Sequence, residues 1–567
     1  MAIDLPNPMN SSKVLAAVDM GTNSFKMFVV RAEPSGKFLA IDRLKEPVVL
    51  GQGMLAGGGT ISLDAQRRAI TALQKFGQVF QRQKVDQTRI VATSAVREAA
   101  NRGEFLSRVR EELGFEVDVL SGEEEARLVY LGVLQFLTVY DKNVLTVDIG
   151  GGSTEFVIGK QGKVIFGTSL KLGHVSLTEA FIRNDKIVDM QNHIRSVLRQ
   201  SGLVEKVREI GFEIAIGSSG TIRSIEKAVF LGYARDLMNA VTSFGEFRRD
   251  WKFRKDELRD VVKRLVSPDK GGEEEEARRV GFFKRRSEYI LAGAVLLLEI
   301  FEILSIDEMA VSGYALGEGV IAEILSRTCQ GYNVRVNARW RSVVHLATRF
   351  NSEKKMKMAA CCACIAKEIF EGLRLSADPA AQQCISLDEK DLEYLEAACL
   401  LHNIGMFVGK KGYHKQSYHI IKNGEHLHGY NADEVELIAL LARYHRKKFP
   451  KLGHASLQDF PKEVKQKFRI LCAIIRISVA VQQCQWMTFQ RLETSNSDEG
   501  FKLVSVSTLS HLGIKLSLAY VNEIFPPLML LHFFLAFIIV WSLVLFSTEL
   551  KCWMSNFHPL IASIVLK

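Results

Sequence analysis

The chain reads as an α/β core followed by an all-helical domain and a hydrophobic C-terminal tail, and three observations predict this. Up to about residue 325, short runs rich in β-branched residues alternate with longer segments at helical spacing. From about Asn337 to Gln490 the strand signals fade and helical patterns take over. From Ile524 to Thr548 there is no Asp, Glu, Lys or Arg. The 567 residues are too many for one compact domain and enough for three. With 47% apolar and 24% charged residues, the composition excludes a disordered or fibrous chain.

Within the core, Lys13–Val18, Phe28–Arg31, Arg89–Ala92, Val117–Leu120, Val144–Val147 and Ile214–Ile216 are expected as strands. Leu63–Phe80, Glu123–Gln135 and Ile222–Leu231 are expected as helices. The charged run 270–286 reads as a solvated helix face or loop.

Two segments of the core repeat one pattern about 130 residues apart. The first is Val14-Leu-Ala-Ala-Val-Asp19-Met-Gly21-Thr-Asn23-Ser24, followed by the apolar run Met27–Val30. The second is Val144-Leu-Thr-Val-Asp148-Ile-Gly150-Gly151-Gly152-Ser153-Thr154-Glu155, followed by Phe156–Ile158. Each is a strand, an Asp-x-Gly turn with small polar residues, and a second strand, which is a β-hairpin signature. Glycines let the backbone come close to phosphate oxygens and point N–H groups at them. The hydroxyls of Ser24, Ser153 and Thr154 add donors. Asp19 and Asp148, each at the end of a strand, are placed to hold Mg²⁺ directly or through water. Singly, such a turn is an ordinary hairpin; two of them facing each other make a cleft that suits a polyphosphate chain. A third loop, Gly217-Ser218-Ser219-Gly220-Thr221, follows a strand and opens a helix, the arrangement of an anion site at a helix N-terminus.

The duplicated pattern resembles the superfamily of actin, sugar kinases and heat-shock chaperones, and more closely its Ppx/GppA exopolyphosphatase and guanosine pentaphosphate phosphohydrolase branch. Thr93-Ser-Ala-Val-Arg97-Glu-Ala99, Leu120-Ser-Gly-Glu-Glu-Glu125-Ala126 and Arg285-Arg-Ser-Glu-Tyr-Ile-Leu-Ala-Gly293 carry the finer resemblance, which covers roughly residues 13–325. It implies two ribonuclease-H-like (actin-like) domains, at 13–140 and 141–330. It also implies release of terminal orthophosphate from inorganic polyphosphate or guanosine tetra- and pentaphosphate by direct attack of water. By resemblance, Glu125 matches the catalytic base and Glu155 a second carboxylate that orients water or metal. Arg97 would pair with phosphate oxygens through its planar fork, and Asn23 would bind the terminal phosphate. Glu123 and Glu124 are accounted for by the opening turn of a helix, where acids favour the macrodipole. With no cysteine before Cys329, a cysteine phosphatase in this core is excluded. One departure stands out: Ser312-Gly-Tyr-Ala-Leu-Gly317-Glu-Gly319 has glycine where the family often has arginine. That departure sustains an alternative, a sensor that binds nucleotide or polyphosphate without turnover. A sugar kinase ranks third, because the Thr93–Ala99 and Leu120–Ala126 elements speak against it.

The helical domain, expected over 335–500, resembles an HD-like domain with His345, His402 and His445 near the usual places. Asn403 replaces the Asp that a working metal site of that type requires. Arg446, Lys447 and Lys448 suit a basic surface facing a polyanion. The net charge of +10 favours anionic partners, although no specific nucleic acid is implied. All nine cysteines lie from Cys329 onward, and the chain opens without a secretory signal, so a reducing, cytoplasmic setting is expected. Cys361, Cys362 and Cys364 read as core packing rather than zinc ligands. The tail, 524–548, is long enough for a membrane anchor; the opposing reading is a variant terminus. Related proteins are commonly dimers, so a homodimer is expected.

Overall fold

The computed structural model describes most of residues 12–516; the longest stretches outside the described residues are 234–250, 375–386, 447–456 and 484–491. Strands β1 (Lys13–Met20), β2 (Ser24–Ala32), β3 (Phe38–Pro47), β4 (Gln87–Ala92) and β5 (Val117–Val119) form one sheet in the order β3-β2-β1-β4-β5. Strands β6 (Val144–Ile149), β7 (Thr154–Lys160), β8 (Lys163–Leu170), β9 (Ile214–Ser218), β10 (Lys252–Arg254) and β11 (Glu308–Val311) form a second, in the order β10-β11-β9-β6-β7-β8. In each sheet three antiparallel strands lead into parallel ones, so β8-β7-β6-β9-β11 repeats β3-β2-β1-β4-β5. The duplication expected from the two Asp-x-Gly segments is therefore a duplication of whole lobes.

Period-two alternation puts each sheet between two apolar layers. Ala16, Val18 and Met20 of β1 face a core completed by helices α1 (Leu63–Gln83), α2 (Ser94–Arg97) and α3 (Arg102–Leu113). Leu15 and Ala17 face the opposite way, toward α4 (Gly122–Leu134). The second sheet is packed by α5 (His174–Ala180), α6 (Ile187–Gln200), α7 (Leu203–Ile210), α8 (Gly220–Phe230), α9 (Lys255–Val266), and, past α10 (Gly272–Phe283), by α11 (Ile290–Ile303). The part of the charged run within α10 is thus helical, as one of the two readings had it.

Helix α4 starts on a Ser121 cap, whose Oγ accepts from Glu124 N at 3.1 Å, and it crosses α12 (Leu316–Thr328) at unusually close range. A Cβ on Gly319 would lie 1.8 Å from Leu128 O, and one on Gly132 would lie 2.0 Å from Ala315 O. Only glycine at both positions allows the backbones to meet, and the crossing fixes the helix that carries Glu125 at its first turn.

Helices α13 (Ala338–Phe350) and α14 (Glu353–Arg374), then Glu389–Leu401, Tyr413–Asn423, Ala432–Tyr444 and Lys462–Gln483, make up the helical domain. Its apolar side is continuous with the α4 side of the first sheet, in one cluster running from Leu15 and Phe28 through Trp340 and Cys362 to Leu471. Trp340 Nε1 donates to Phe38 O at 3.1 Å, while Lys37–Glu396 and Lys357–Asp42 pair at 2.5 and 2.8 Å. Cys361, Cys362, Cys364 and Cys399 are free thiols in this packing. The all-helical reading to residue 500 requires correction: helix ends at Gln483, and β12 (Leu492–Ser497), β13 (Gly500–Ser507) and β14 (Ser510–Leu516) form a three-stranded meander. The apolar tail at 524–548 lies outside the described residues, as do Lys447 and Lys448. Among the described residues, no helix is long and apolar enough to cross a membrane.

Candidate active site

The two hairpins place their functional side chains at matching points. In β1–β2, Asp19 stands opposite Lys26; in β6–β7, Asp148 stands opposite Glu155. The first hairpin thus presents an ammonium where the second presents a carboxylate. Lys26 Nζ lies 2.9 Å from Asp19 Oδ2, and its pKa is raised chiefly by that partner and further by Asp148. The Lys26 side chain remains about half exposed to solvent despite this pairing.

The Gly-rich turns of the two hairpins touch. A Cβ on Gly151 would come within 2.9 Å of Thr22 Cβ, and one on Gly152 within 2.5 Å of Ser94 Oγ. Any side chain there would wedge the lobes apart. The first turn is held from behind, where Val49 N and Gly51 N donate to Asn23 O and Thr22 O at 2.9 and 3.1 Å.

Glu125 and Glu155 occupy the space between the lobes. Arg97 Nη1 donates to Glu125 Oε2 at 2.9 Å and to Leu120 O at 3.0 Å. Burial nevertheless pushes the Glu125 carboxyl up to about 7, outweighing Arg97, with Asp19 and Asp148 adding repulsion. Glu155 accepts from Ser153 Oγ at 2.7 Å and Ser169 Oγ at 2.8 Å, yet burial and the charges of Glu125 and Asp148 keep its pKa well above the usual range. Burial also raises Asp148, with Lys26 and Ser218 opposing. Four carboxyl groups in mutual repulsion form a place where a divalent cation is favoured. Among the described residues, no three His, Cys, Asp or Glu side chains converge enough to enclose a metal alone. A cation on Asp19 or Asp148 would fill its shell with water or phosphate oxygens, the habit of Mg²⁺.

The third loop supplies positive charge and strain. Ser219 sits at φ 119°, ψ 161°, a region nearly confined to glycine, and its Oγ caps α8 by accepting from Ile222 N at 3.2 Å. The Arg286 guanidinium lies where a Cβ on Gly220 would be, 1.8 Å from Nη2. Burial, reinforced by Arg223, lowers Arg286 to about 10. Behind the loops, His174 is buried, stacks edge-on to Tyr289, and lies 3.4 Å from Thr221 Oγ1 through Nδ1. Burial, then Arg286, lowers its pKa to about 3, so the ring is neutral.

The residues expected at the site divide by position. Asn23, Ser24, Gly150, Gly151, Gly152, Ser219 and Gly220 lie on the loops and stay partly accessible. Thr154 is wholly buried and donates to Leu172 O at 2.5 Å, Ser218 donates to Tyr314 O at 3.0 Å, and Gly217 packs against Ile222 and Met309. Thr154 and Ser218 therefore brace the loops through bonds to backbone carbonyls and Gly217 through close packing, while the Ser218 hydroxyl also lies against Asp148. Sequence reasoning missed Lys26, Ser169, His174 and Arg286. Arg286 stood in the Arg285–Gly293 segment that carries the resemblance but was given no role, and Ser169 lies on a strand without an apolar alternation to announce it. In the helical domain, His402 and His445 each use Nδ1 on the carbonyl three residues earlier, at 2.8 and 2.7 Å, and Tyr413 reaches His445 Nε2 at 3.1 Å. Asn403 Oδ1 is buried without a partner.

Comparison with known proteins agrees with this architecture. The model of the Ppx/GppA phosphatase family matches residues 29–328, more than half of the chain, and that of its domain III matches 338–512, through most of the terminal meander. Among solved structures, the chain is similar to an exopolyphosphatase from Cytophaga hutchinsonii, with 26% identity, 57% of this chain and 99% of that one covered, and TM-score 0.48. It is also similar to the Aquifex aeolicus member of the Ppx/GppA protein family, with 28% identity, 56% and 99% covered, and TM-score 0.46. The two family models, which together match most of the chain across the duplicated lobes and the helical third domain, have one reading: the chain belongs to the Ppx/GppA phosphatase family.

Proposed function

We propose that the protein hydrolyses terminal phosphoanhydride bonds of inorganic polyphosphate or of guanosine tetra- and pentaphosphate, releasing orthophosphate by direct attack of water. The observation that carries this is Glu125, a buried carboxyl raised to about 7 and oriented by Arg97, beside Glu155 in a cleft between two glycine loops. A base whose pKa lies near working pH accepts a proton from water most effectively. Glu155, fixed by Ser153 and Ser169, orients that water. Backbone N–H groups of the two turns hold the phosphate chain, and Lys26 and Arg286 offset its charge. Mg²⁺, held at Asp19 and Asp148 when bound, would polarise the phosphoryl oxygens.

Gly317 favours a second reading, a sensor that binds without turnover, because it withholds a family arginine where only Phe28 Cβ, at 3.7 Å, lies near. Phosphate release from long-chain polyphosphate and from pppGpp, with Mg²⁺, separates the two for wild type and Glu125→Ala. Release lost in the variant supports hydrolysis, and the preferred substrate names the activity. Absence of release from either substrate, with Mg²⁺-dependent binding retained, overturns it in favour of the sensor.

A further inference from the structure

The lobes also meet at the mouth of the cleft, through a chain of charges that the hydrolytic reading leaves without a role. Glu98 follows α2 in the first lobe, and its Oε2 accepts from Lys171 Nζ at 2.5 Å. Lys171 belongs to the second lobe, directly after β8. The other oxygen, Glu98 Oε1, lies 3.5 Å from Arg97 Nε. Arg97 then uses a different edge of its guanidinium, Nη1, on Glu125 and on Leu120 O. A planar fork gripped on two edges has its orientation fixed, which a single partner does not achieve. The Lys171 side chain is 81% exposed, too solvated for this pair to hold the lobes together by attraction. Its leverage lies in direction.

We propose that Glu98 is a positioning residue that couples lobe closure to the base: Lys171, arriving with the second lobe, aligns Glu98, and Glu98 sets the Arg97 fork on Glu125. The inference rests on the hydrolytic reading above. When the lobes part, Lys171 leaves, Glu98 is freed and Arg97 loses its second grip. Proton transfer from water is then disfavoured until the cleft closes on substrate. The machinery would be assembled only around a bound chain, which limits idle exposure of the base.

The test measures kcat and KM for phosphate release, with Mg²⁺, from long-chain polyphosphate and pppGpp. The set is wild type, Glu98→Gln, Lys171→Met, the charge-swapped pair Glu98→Lys/Lys171→Glu, and Glu125→Gln as blank. Glu98→Gln should lower kcat roughly tenfold with KM changed less than about twofold, since misplacing a reacting group acts on the chemical step. Lys171→Met should act in the same sense but less. The swapped pair should not recover, because it restores attraction across the lobes but sets an ammonium beside Arg97. Recovery of wild-type kcat by the swap would reduce the pair to a latch and overturn the proposal. So would an unchanged kcat in Glu98→Gln, or a loss accompanied by equal damage to KM and thermal stability. A wild type that releases nothing removes the hydrolytic reading and this proposal with it; an active wild type with unaltered Glu98→Gln removes only this one.

Discussion

Glu125 concentrates the competing forces of the site in one side chain. Burial and two neighbouring carboxylates, Asp19 and Asp148, oppose its charge, and Arg97 alone among the named causes favours it. Raised from 4.5 to about 7, it binds its proton more tightly folded than unfolded, so stability is lost as pH rises through that window. The full shift corresponds to at most about 3 kcal/mol. Glu125→Gln should therefore melt at a higher temperature than wild type at pH 8 and at nearly the same temperature at pH 4, while phosphate release falls at least ~100-fold. Equal melting curves at both pH values would show that the carboxyl is not destabilised in the fold. Because the ionised form takes the proton from water, kcat/KM of the free enzyme should rise with pH through about 7. Arg97→Met should move that rise to higher pH, and a profile left in place would remove Arg97 from the pair.

At the scale of elements, the two hairpins were legible because each joins β-branched strands through an Asp-x-Gly turn, a pattern that local chemistry alone explains. β3 and β8 were not. Phe38–Pro47 mixes acids, bases and apolar residues, and Lys163–Leu170 is an edge strand with Val164 and Ile165 exposed, so neither shows the half-buried alternation that marks a strand. Ser169, and with it half of the support for Glu155, went unseen for that reason. Loop positions could be named from sequence, but which hydroxyls face the cleft depends on partners far along the chain, as Thr154 and Leu172 show. The turns themselves are testable. Gly152→Ala should raise KM by separating the lobes, and adding Ser94→Gly should restore it by clearing the obstructing hydroxymethyl group. A KM unmoved by Gly152→Ala would mean that the lobes do not close this tightly.

The whole molecule has its boundaries in unexpected places. One apolar cluster joins one face of the first sheet to the helical domain, whereas the second lobe has a core of its own. Calorimetry should show the first lobe and helical domain unfolding together and the second lobe separately. Deletion of residues from 338 onward should leave an insoluble first lobe, with Phe38 and Leu39 of β3 uncovered. A soluble, cooperatively folded remainder would contradict the shared core. Sequence periodicity cannot reveal such a union, because it records which face of an element is apolar and not what covers it.

The exchange of Lys26 for Glu155 between otherwise matching hairpins bears on direction. The interior of a polyphosphate chain is the same read forwards or backwards, and a cleft with two equal walls would seat it either way round. Here one wall offers an ammonium and the other a carboxyl group at the same step of the repeat. A strand of identical links laid between them acquires a leading end and a trailing end. Duplication built the cleft, and the loss of its mirror-like sameness is what would let it count from one terminus.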